Sequence, residues 1–276
     1  MTAEQEAIRG LARTATGEEL AALLHHHAPE VLLALLDNPA LDETQLCLLL
    51  ERKDLPAEVL EEVGRRKRLL KNYRVRRALA FHPRTPRLAS LRLIRELYLM
   101  DLVQLTLMPG SPAELKRIAE EQLVTRLPQL PLGQKITLAR RGTARVAGAL
   151  LAEGQTQVLS VVLDNPGLTE AQVLKALSRE RLSAGVVKAV AQHRKWSHVY
   201  NVRLALVRHP NSTLSTILAY LPELTVSDLR ELAAPGIVAE SLRKYLVAEI
   251  QQRIRRSERS VKSADTGGTP DASNSN

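Results

Sequence analysis

The segment RRKRLLKNYRVRR, from Arg65 to Arg77, concentrates more charge than any other part of the chain. Eight of its 13 positions are Lys or Arg. Such side chains neutralise carboxylates or phosphates, so the segment predicts a patch that binds an acidic partner; the alternative is a solvated loop between helices. The candidate binding residues are Arg65, Arg66, Lys67, Arg68, Lys71 and Arg74, together with Arg194 and Lys195 from a related segment.

Other residue types that could carry chemistry lack the spacing that chemistry needs. The run His25–His27 cannot converge on a metal from a helix, because consecutive side chains point about 100° apart. Cys47 is the only cysteine and lies in an apolar run. The chain contains no HExxH, no CxxC, no Gly-rich phosphate loop and no nucleophile elbow. The sequence therefore predicts a non-catalytic protein without a metal or cofactor.

The composition indicates a helical protein that favours acidic partners. Of 276 residues, 45% are hydrophobic but only 3% are aromatic, and the formal net charge is +9. The opening MTAEQEAIRG has no apolar stretch, so we expect no secretory signal. No apolar run approaches the roughly 18 residues of a membrane span. We therefore expect a cytoplasmic protein that does not enter a membrane.

The elements that carry these residues occur twice. Aligning residues 31–83 with residues 158–210, an offset of 127, gives 22 identities in 53 positions without a gap. We therefore predict two homologous halves, 7–129 and 134–256. Pro128 and Pro131 lie between the halves and cannot occupy the inside of a continuous helix, which predicts a joint there. Residues 257–276 are polar and without periodicity, which predicts a disordered tail.

Positions that both halves keep are expected to serve the packing of the repeat. They comprise two DNP turns, two HP turns that follow 44 residues later, and one arginine in each half. The arginines are expected to bond free carbonyls or an Asp of the neighbouring repeat, such as Asp37 or Asp164. The alternative is that the two arginines form part of a ladder of side chains on the inner surface of the stacked repeats. These residues are Asp37, Asn38, Pro39, Arg76, His82 and Pro83, with Asp164, Asn165, Pro166, Arg203, His209 and Pro210.

Helix-start signals follow both DNP turns. Asp42 and Gln45 in the first half, and Thr169 and Gln172 in the second, have the spacing of a capping box. We find no convincing period-two segment, so the predicted fold is all-α, with six or seven short helices per half packed as antiparallel pairs. A spacing of 44 residues, which separates the DNP and HP turns in each half, is typical of stacked helical units that form a solenoid.

The segments VRRALAFHPRTP and VRLALVRHPNST, together with the DNP turns, resemble the HEAT-like and leucine-rich-repeat-variant α-solenoids of bacteria, which have an armadillo-type fold. The resemblance covers nearly all of residues 7–256 and implies a scaffold whose concave surface binds proteins or nucleic acids. The variant family can carry an iron–sulfur cluster held by several cysteines. This chain has Cys47 alone and should lack the cluster.

Some alkylpurine DNA glycosylases are also built from HEAT-like repeats and use aromatic residues with a carboxylate beside a basic groove. Trp196, the single tryptophan, would have to line such a cleft. Its counterpart in the first half is Leu69, which favours a packing position instead. The favoured function is a scaffold that binds a protein partner through a curved, partly basic surface. Sequence-tolerant binding of duplex nucleic acid through phosphates is the alternative, and the oligomeric state stays open.

Overall fold

Helices make up all the regular structure that is described. The computed structural model describes residues 3–179, 181–238 and 240–265, and within these ranges it contains no strand. The predicted all-α class is therefore confirmed for the described part of the chain. The chain divides into two compact units, Met1–Leu130 and Pro131–Asn276.

The first unit contains ten α-helices within its described residues. They are α1 (Ala3–Ala12), α2 (Gly17–Leu23), α3 (Pro29–Leu35), α4 (Glu43–Glu51), α5 (Ala57–Arg65), α6 (Lys67–Leu70), α7 (Tyr73–Phe81), α8 (Arg87–Ile94), α9 (Leu99–Leu107) and α10 (Ala113–Arg126). A 3₁₀ turn, Leu127–Gln129, follows α10.

The second unit contains nine α-helices within the residues described there. They are α11 (Leu132–Arg141), α12 (Ala144–Glu153), α13 (Thr156–Leu163), α14 (Glu170–Leu177), α15 (Ala184–Gln192), α16 (Tyr200–Arg208), α17 (Leu214–Tyr220), α18 (Val226–Leu232) and α19 (Glu240–Asp265). Two 3₁₀ turns, Trp196–His198 and Leu221–Glu223, lie between them.

The prediction of six or seven helices per half is wrong, because helices end at residues that carry no breaker signal. Arg66 has an extended backbone (φ −82°, ψ 93°); it ends α5 and also precedes the first residue of α6. Arg52 ends α4 in the same way. Neither residue is a Gly or Pro, so the sequence pattern does not mark these breaks.

Corresponding helices pair in both units and bury aliphatic side chains. In the first unit α1 packs against α3, α4 against α7, and α9 against α10. In the second unit α11 packs against α13, α14 against α16, and α18 against α19. Leu79 in α7 and Leu206 in α16, which are 127 residues apart, are both fully buried. A single short helix cannot bury its own apolar face, so these pairings stabilise the helices that carry the candidate binding residues.

The DNP turn of each unit fixes the end of an earlier helix. Asn38 is 1% exposed, and its Nδ2 donates to the carbonyls of Ala12 and Ala15 at 2.9 Å each. Asn165 is 3% exposed and donates in the same way to the carbonyls of Ala139 and Gly142, at 2.5 and 3.2 Å. Both acceptor pairs are again 127 residues apart. A buried side chain thus satisfies carbonyls that a helix end leaves free.

One of the two predicted capping boxes is present. Asp42 accepts from the Gln45 N–H at 2.8 Å, and the Gln45 side chain accepts from the Asp42 N–H at 3.0 Å, which confirms the first box. The second box is wrong, because the Thr169 side chain makes no capping bond. The Gln172 side chain lies instead against Gly148, where a β-carbon would stand 2.5 Å from its Oε1.

The two prolines between the halves lie outside α-helices. Pro128 is in the 3₁₀ turn after α10, and Pro131 directly precedes α11. At the other end, the predicted tail needs a correction, since α19 continues through residues 257–265. No Gly or Pro occurs from residue 240 to 266, so nothing in the backbone stops the helix earlier. Residues 266–276 of the predicted tail lie outside the described residues.

Among the described residues, none of the helices combines the length and apolar character that crossing a bilayer requires.

We expect Asn38→Ala and Asn165→Ala each to lower the free energy of unfolding by about 2–4 kcal/mol, because each leaves two buried carbonyls and one N–H without partners. Urea unfolding followed by circular dichroism measures this. Asn201→Ala is the matched control, since Asn201 is exposed and bonds only Glu170 at 2.7 Å; its effect should stay within about 0.5 kcal/mol. A change that small in Asn38→Ala would contradict the proposed anchoring.

Candidate partner-binding surface

The basic segment spans the end of α5, all of α6 and the start of α7. Asn72 accepts from the Arg74 N–H at 2.8 Å and so caps α7. The extended backbone at Arg66 separates α5 from α6. The eight cations of the segment differ in exposure and in bonding partners, so the structure gives them different roles.

Two of the predicted binding residues are used inside the unit. Arg66 is half-buried; its Nη1 lies 2.7 Å from both the Asp37 carboxylate and the Leu36 carbonyl, and its Nε lies 2.7 Å from Glu62. Arg65 pairs with Glu61 at 2.7 Å. A partner would have to break the three partly buried contacts of Arg66 to use it, whereas the exposed Arg65–Glu61 pair is weaker.

Four of the predicted residues remain exposed, and none forms an ion pair with a carboxylate among the described residues. We call Lys67, Arg68, Lys71 and Arg74 the α6–α7 cation group. A carboxylate or phosphate of a ligand could therefore pair with these cations without first displacing an ion pair among the described residues.

Helix α4 presents a surface of mixed character beside α7. Helix α4 packs against α7 and exposes 46% of Leu48. Burial raises the pKa of the half-buried Cys47 thiol above its ordinary value; Glu43 and Glu51 raise this pKa further, whereas Arg74 lowers it. Arg74, one member of the α6–α7 cation group, therefore lies close enough to α4 to affect the Cys47 thiol.

A tyrosine holds the start of α7 to the next turn. The Tyr73 hydroxyl donates to Asp101 and accepts from the Tyr98 N–H at 2.9 Å, and the rings of Tyr73 and Tyr98 stack at 3.8 Å. Arg77 Nε lies 2.7 Å from the same Asp101 carboxylate. Burial and the bond to Asp101 raise the pKa of Tyr73 to about 12. The neutral phenol is thus the form that the fold stabilises.

The second unit repeats this arrangement. The Tyr200 hydroxyl donates to Asp228 and accepts from the Thr225 N–H at 3.0 Å. The hydroxyls of Thr225 and Tyr200 lower the pKa of Asp228. Tyr73 and Tyr200 are identical residues 127 positions apart, and so are their carboxylate partners Asp101 and Asp228. This double repetition is the signal by which the sequence could have indicated the pairing.

The repeated arginines bond carbonyls, but their predicted carboxylate partners are wrong. Arg76 donates to the Leu70 carbonyl at 3.0 Å, and Arg203 donates to the Ser197 carbonyl at 2.6 Å. Their carboxylate neighbours are Glu96 at 3.7 Å and Glu223 at 2.9 Å. Asp37 and Asp164 were the predicted partners; other cations occupy them.

The predicted binding residues of the second unit are less available. Arg194 is exposed but lies 3.3 Å from Asp164, which His193 also approaches at 3.3 Å. Lys195 Nζ lies 4.2 Å from the centre of the Trp196 ring, a cation–π contact. The second unit therefore has no counterpart of the α6–α7 cation group at these positions.

Trp196 is a core residue. It is 2% exposed, and its Nε1 donates to the Leu163 carbonyl at 3.0 Å. Leu163 corresponds to Leu36, the residue whose carbonyl accepts from Arg66 in the first unit. Two different side chains thus satisfy the same carbonyl position. The cleft that the glycosylase interpretation requires of Trp196 is contradicted by this burial.

The remaining predicted positions serve turns. His82 Nδ1 accepts from the Arg84 N–H at 3.2 Å, and His209 Nδ1 accepts from the Asn211 N–H at 3.1 Å. Their Nε2 atoms lie 2.7 and 3.4 Å from carbonyls about 30 residues earlier, a contact that sequence reasoning missed. The prolines of these turns are exposed; they are Pro39, Pro83, Pro166 and Pro210.

The three consecutive histidines do not gather around one point. His27 is largely exposed and lies 3.6 Å from Asp54, while His26 Nδ1 accepts from the Ala28 N–H at 3.0 Å. Among the residues that the structure describes, no three His, Cys, Asp or Glu side chains are arranged to hold a metal ion.

Comparison with protein-family models, with curated proteins and with solved structures found no match to this chain.

The burial of Trp196 can be measured directly, because it is the only tryptophan. We expect blue-shifted emission that acrylamide quenches weakly in the folded protein and strongly after unfolding in guanidinium chloride. Trp196→Phe should lower the free energy of unfolding by about 1–3 kcal/mol, since the Leu163 carbonyl loses its donor. Strong quenching in the folded state would show an accessible indole, contrary to this structure.

Proposed function

We propose that the chain is a HEAT-like, leucine-rich-repeat-variant type of α-solenoid with two duplicated halves and no catalytic activity. The support is the repetition of specific bonds at an offset of 127. Asn38 and Asn165 anchor earlier helix ends, Tyr73 and Tyr200 bind an Asp, and the HP histidines bond equivalent carbonyls. Side chains kept in equivalent bonds are what divergence from one ancestral unit would leave.

We further propose that this scaffold binds an acidic segment of a protein partner through the α6–α7 cation group. The observation that carries the proposal is that the four cations of this group are exposed and have no ion pair with a carboxylate among the described residues, whereas Arg65 and Arg66 beside them are paired. Since packing does not use the group, a partner is the simplest reason for its density.

The neighbouring α4 surface favours a protein over a nucleic acid. Leu48 offers an apolar contact, which a partner's aliphatic side chain can use and a phosphate backbone cannot. Glu43 and Glu51 lie on the same helix and would repel phosphates running past it. Carboxylates of a folded or helical partner can be placed to avoid them. Duplex nucleic acid stays the second candidate, because four clustered cations could contact phosphates.

The binding mechanism follows from how the group is held. The Arg66 bonds fix the turn between α5 and α6, and the Tyr73 bonds fix the start of α7. The backbone beneath the cations is therefore ordered before a partner arrives, which reduces the entropy cost of binding. The clustered charge also steers an acidic partner towards this face and makes association depend on salt. This function needs no cofactor or metal, and the single cysteine suits the reducing cytoplasm.

The test is charge reversal of the whole group, Lys67→Glu, Arg68→Glu, Lys71→Glu and Arg74→Glu together. The probes are a labelled peptide of Asp and Glu with one central leucine, and a labelled 20-base-pair duplex. In about 150 mM salt we expect the parent protein to bind the peptide and the variant to bind it at least tenfold more weakly, measured by fluorescence anisotropy. Leu48→Ser should weaken peptide binding by a smaller factor.

The matched control reverses four exposed cations of the second unit, Arg140, Arg141, Lys175 and Lys188, for the same change in net charge. It should retain peptide binding. Equal loss in both variants would mean that only net charge matters and would overturn the proposed site. Submicromolar duplex binding with a steep salt dependence, and no peptide binding, would replace the protein partner with nucleic acid.

A further inference from the structure

A groove in the second unit combines apolar side chains with positive charge. It lies between the His209 turn, the start of α17 and the first turns of α19, and its cavity measures about 740 Å³. This volume is in the range of sites that hold ligands. Leu214, Ile237 and Tyr245 line the groove and are each nearly half exposed. Aliphatic and aromatic side chains at this exposure are available to an apolar ligand.

A second cavity of about 750 Å³ adjoins the first. The two share Arg208, His209, Pro210 and Ile237 in their linings, and the second extends to Leu174 and Leu177 on α14. We call the two cavities together the α17–α19 groove. An apolar surface bordered by a cation can bind an amphipathic helix through its apolar face.

The charged side chains that the structure describes along the α17–α19 groove are cations. No Asp or Glu is among the described residues that line either cavity, whereas Arg208 and Lys244 are. Arg208 pairs with Glu231, outside the lining, at 2.8 Å. Lys244 is exposed and has no ion pair within the described chain. A carboxylate on the ligand can therefore pair with Lys244 without breaking an ion pair within the described chain.

The equivalent groove of the first unit is bridged. Its cavity of about 450 Å³ is lined by the His82 turn and by Arg87 and Glu114, which form an ion pair at 2.5 Å between α8 and α10. The residues at these positions in the second unit, 127 further on, are Leu214 and Ser241. They cannot form the bridge. Equivalent turns and helices thus line the groove in both units, but no ion pair of this kind crosses the groove of the second.

We propose that the α17–α19 groove is a second binding site, for an acidic amphipathic peptide segment of a partner protein. Aliphatic side chains of the segment pack against Leu214, Ile237 and Tyr245, and a carboxylate pairs with Lys244. The site is separate from the α6–α7 cation group, lies in the other unit and stands independently of it.

The decisive variant transplants the bridge of the first unit, as Leu214→Arg with Ser241→Glu. The probe is a labelled helical peptide of about 12 residues with Leu on one face and Glu on the other, followed by anisotropy. We expect the parent protein to bind it and the bridged variant to bind it at least tenfold more weakly. Circular dichroism checks that the variant folds. Unchanged affinity in the folded variant would overturn the proposal, as would no binding by the parent protein.

A second variant, Lys244→Glu, changes only an exposed charge and does not depend on a new ion pair. It should weaken binding of the Leu/Glu peptide and strengthen binding of a matched Leu/Lys peptide. A parent protein that binds both peptides equally would show that charge plays no part and would overturn the proposed ligand.

The four-fold charge reversal in the α6–α7 cation group should leave binding of the Leu/Glu peptide unchanged. If that reversal abolishes binding and the bridged variant does not, the peptide occupies the first unit. The groove proposal then fails while the proposed function stands.

Discussion

Carbonyl groups at the ends of short helices are the constraint on which this structure depends. Most helices here have seven to ten residues, and each leaves up to four carbonyls without an intrahelical partner. Long side chains from about 30 residues later satisfy them: Arg52 donates to the Leu24 and His26 carbonyls at 2.5 and 2.9 Å, and Arg126 bonds two carbonyls in the turn after α8. Side chains from later in the chain therefore complete the ends of these earlier helices.

This constraint changes what the basic composition means. The formal charge of +9 counts every Lys and Arg alike, yet arginines such as Arg52, Arg66, Arg126 and Arg253 are engaged with backbone carbonyls. An arginine held in this way is part of the scaffold, because moving it would leave buried acceptors unsatisfied. The four cations of the α6–α7 cation group differ from these in having no ion pair or carbonyl bond that holds them among the described residues. A structural cation is thus recognised by its bonds to backbone carbonyls, and a candidate binding cation by their absence among the described residues. The density of charge along the sequence does not distinguish the two.

Sequence repetition identified much of the frame, since Asn38, Tyr73 and His82 recur at the same offset as Asn165, Tyr200 and His209. It could not identify the bonding partners, because these lie about 25–30 residues away and depend on how successive helices stack. The expected partner of Arg76 was wrong for this reason: Arg66, whose counterpart in the second unit is His193 and not an arginine, already holds Asp37. The number of helices was also underestimated, because an extended residue such as Arg66 interrupts the chain without a Gly or Pro. The groove of the second unit could not be predicted from the sequence, because it depends on contacts between distant turns: the corresponding ion pair of the first unit joins residues 27 apart.

Arg66 and Trp196 show how the two units can keep one frame and present different surfaces. Both donate to the same carbonyl position, at 2.7 and 3.0 Å, but arginine also requires carboxylates around it, whereas an indole requires an apolar pocket and has no charge. The exchange alters the neighbouring surface without breaking the bond that the helix end needs. The Arg87–Glu114 pair differs from its counterparts Leu214 and Ser241 in a similar way. These residues bond no buried carbonyl, so the exchange leaves no buried acceptor without a partner. A residue whose side chain bonds a buried carbonyl tolerates few substitutions. Differences in binding between the two units are therefore expected at residues that make no such bond.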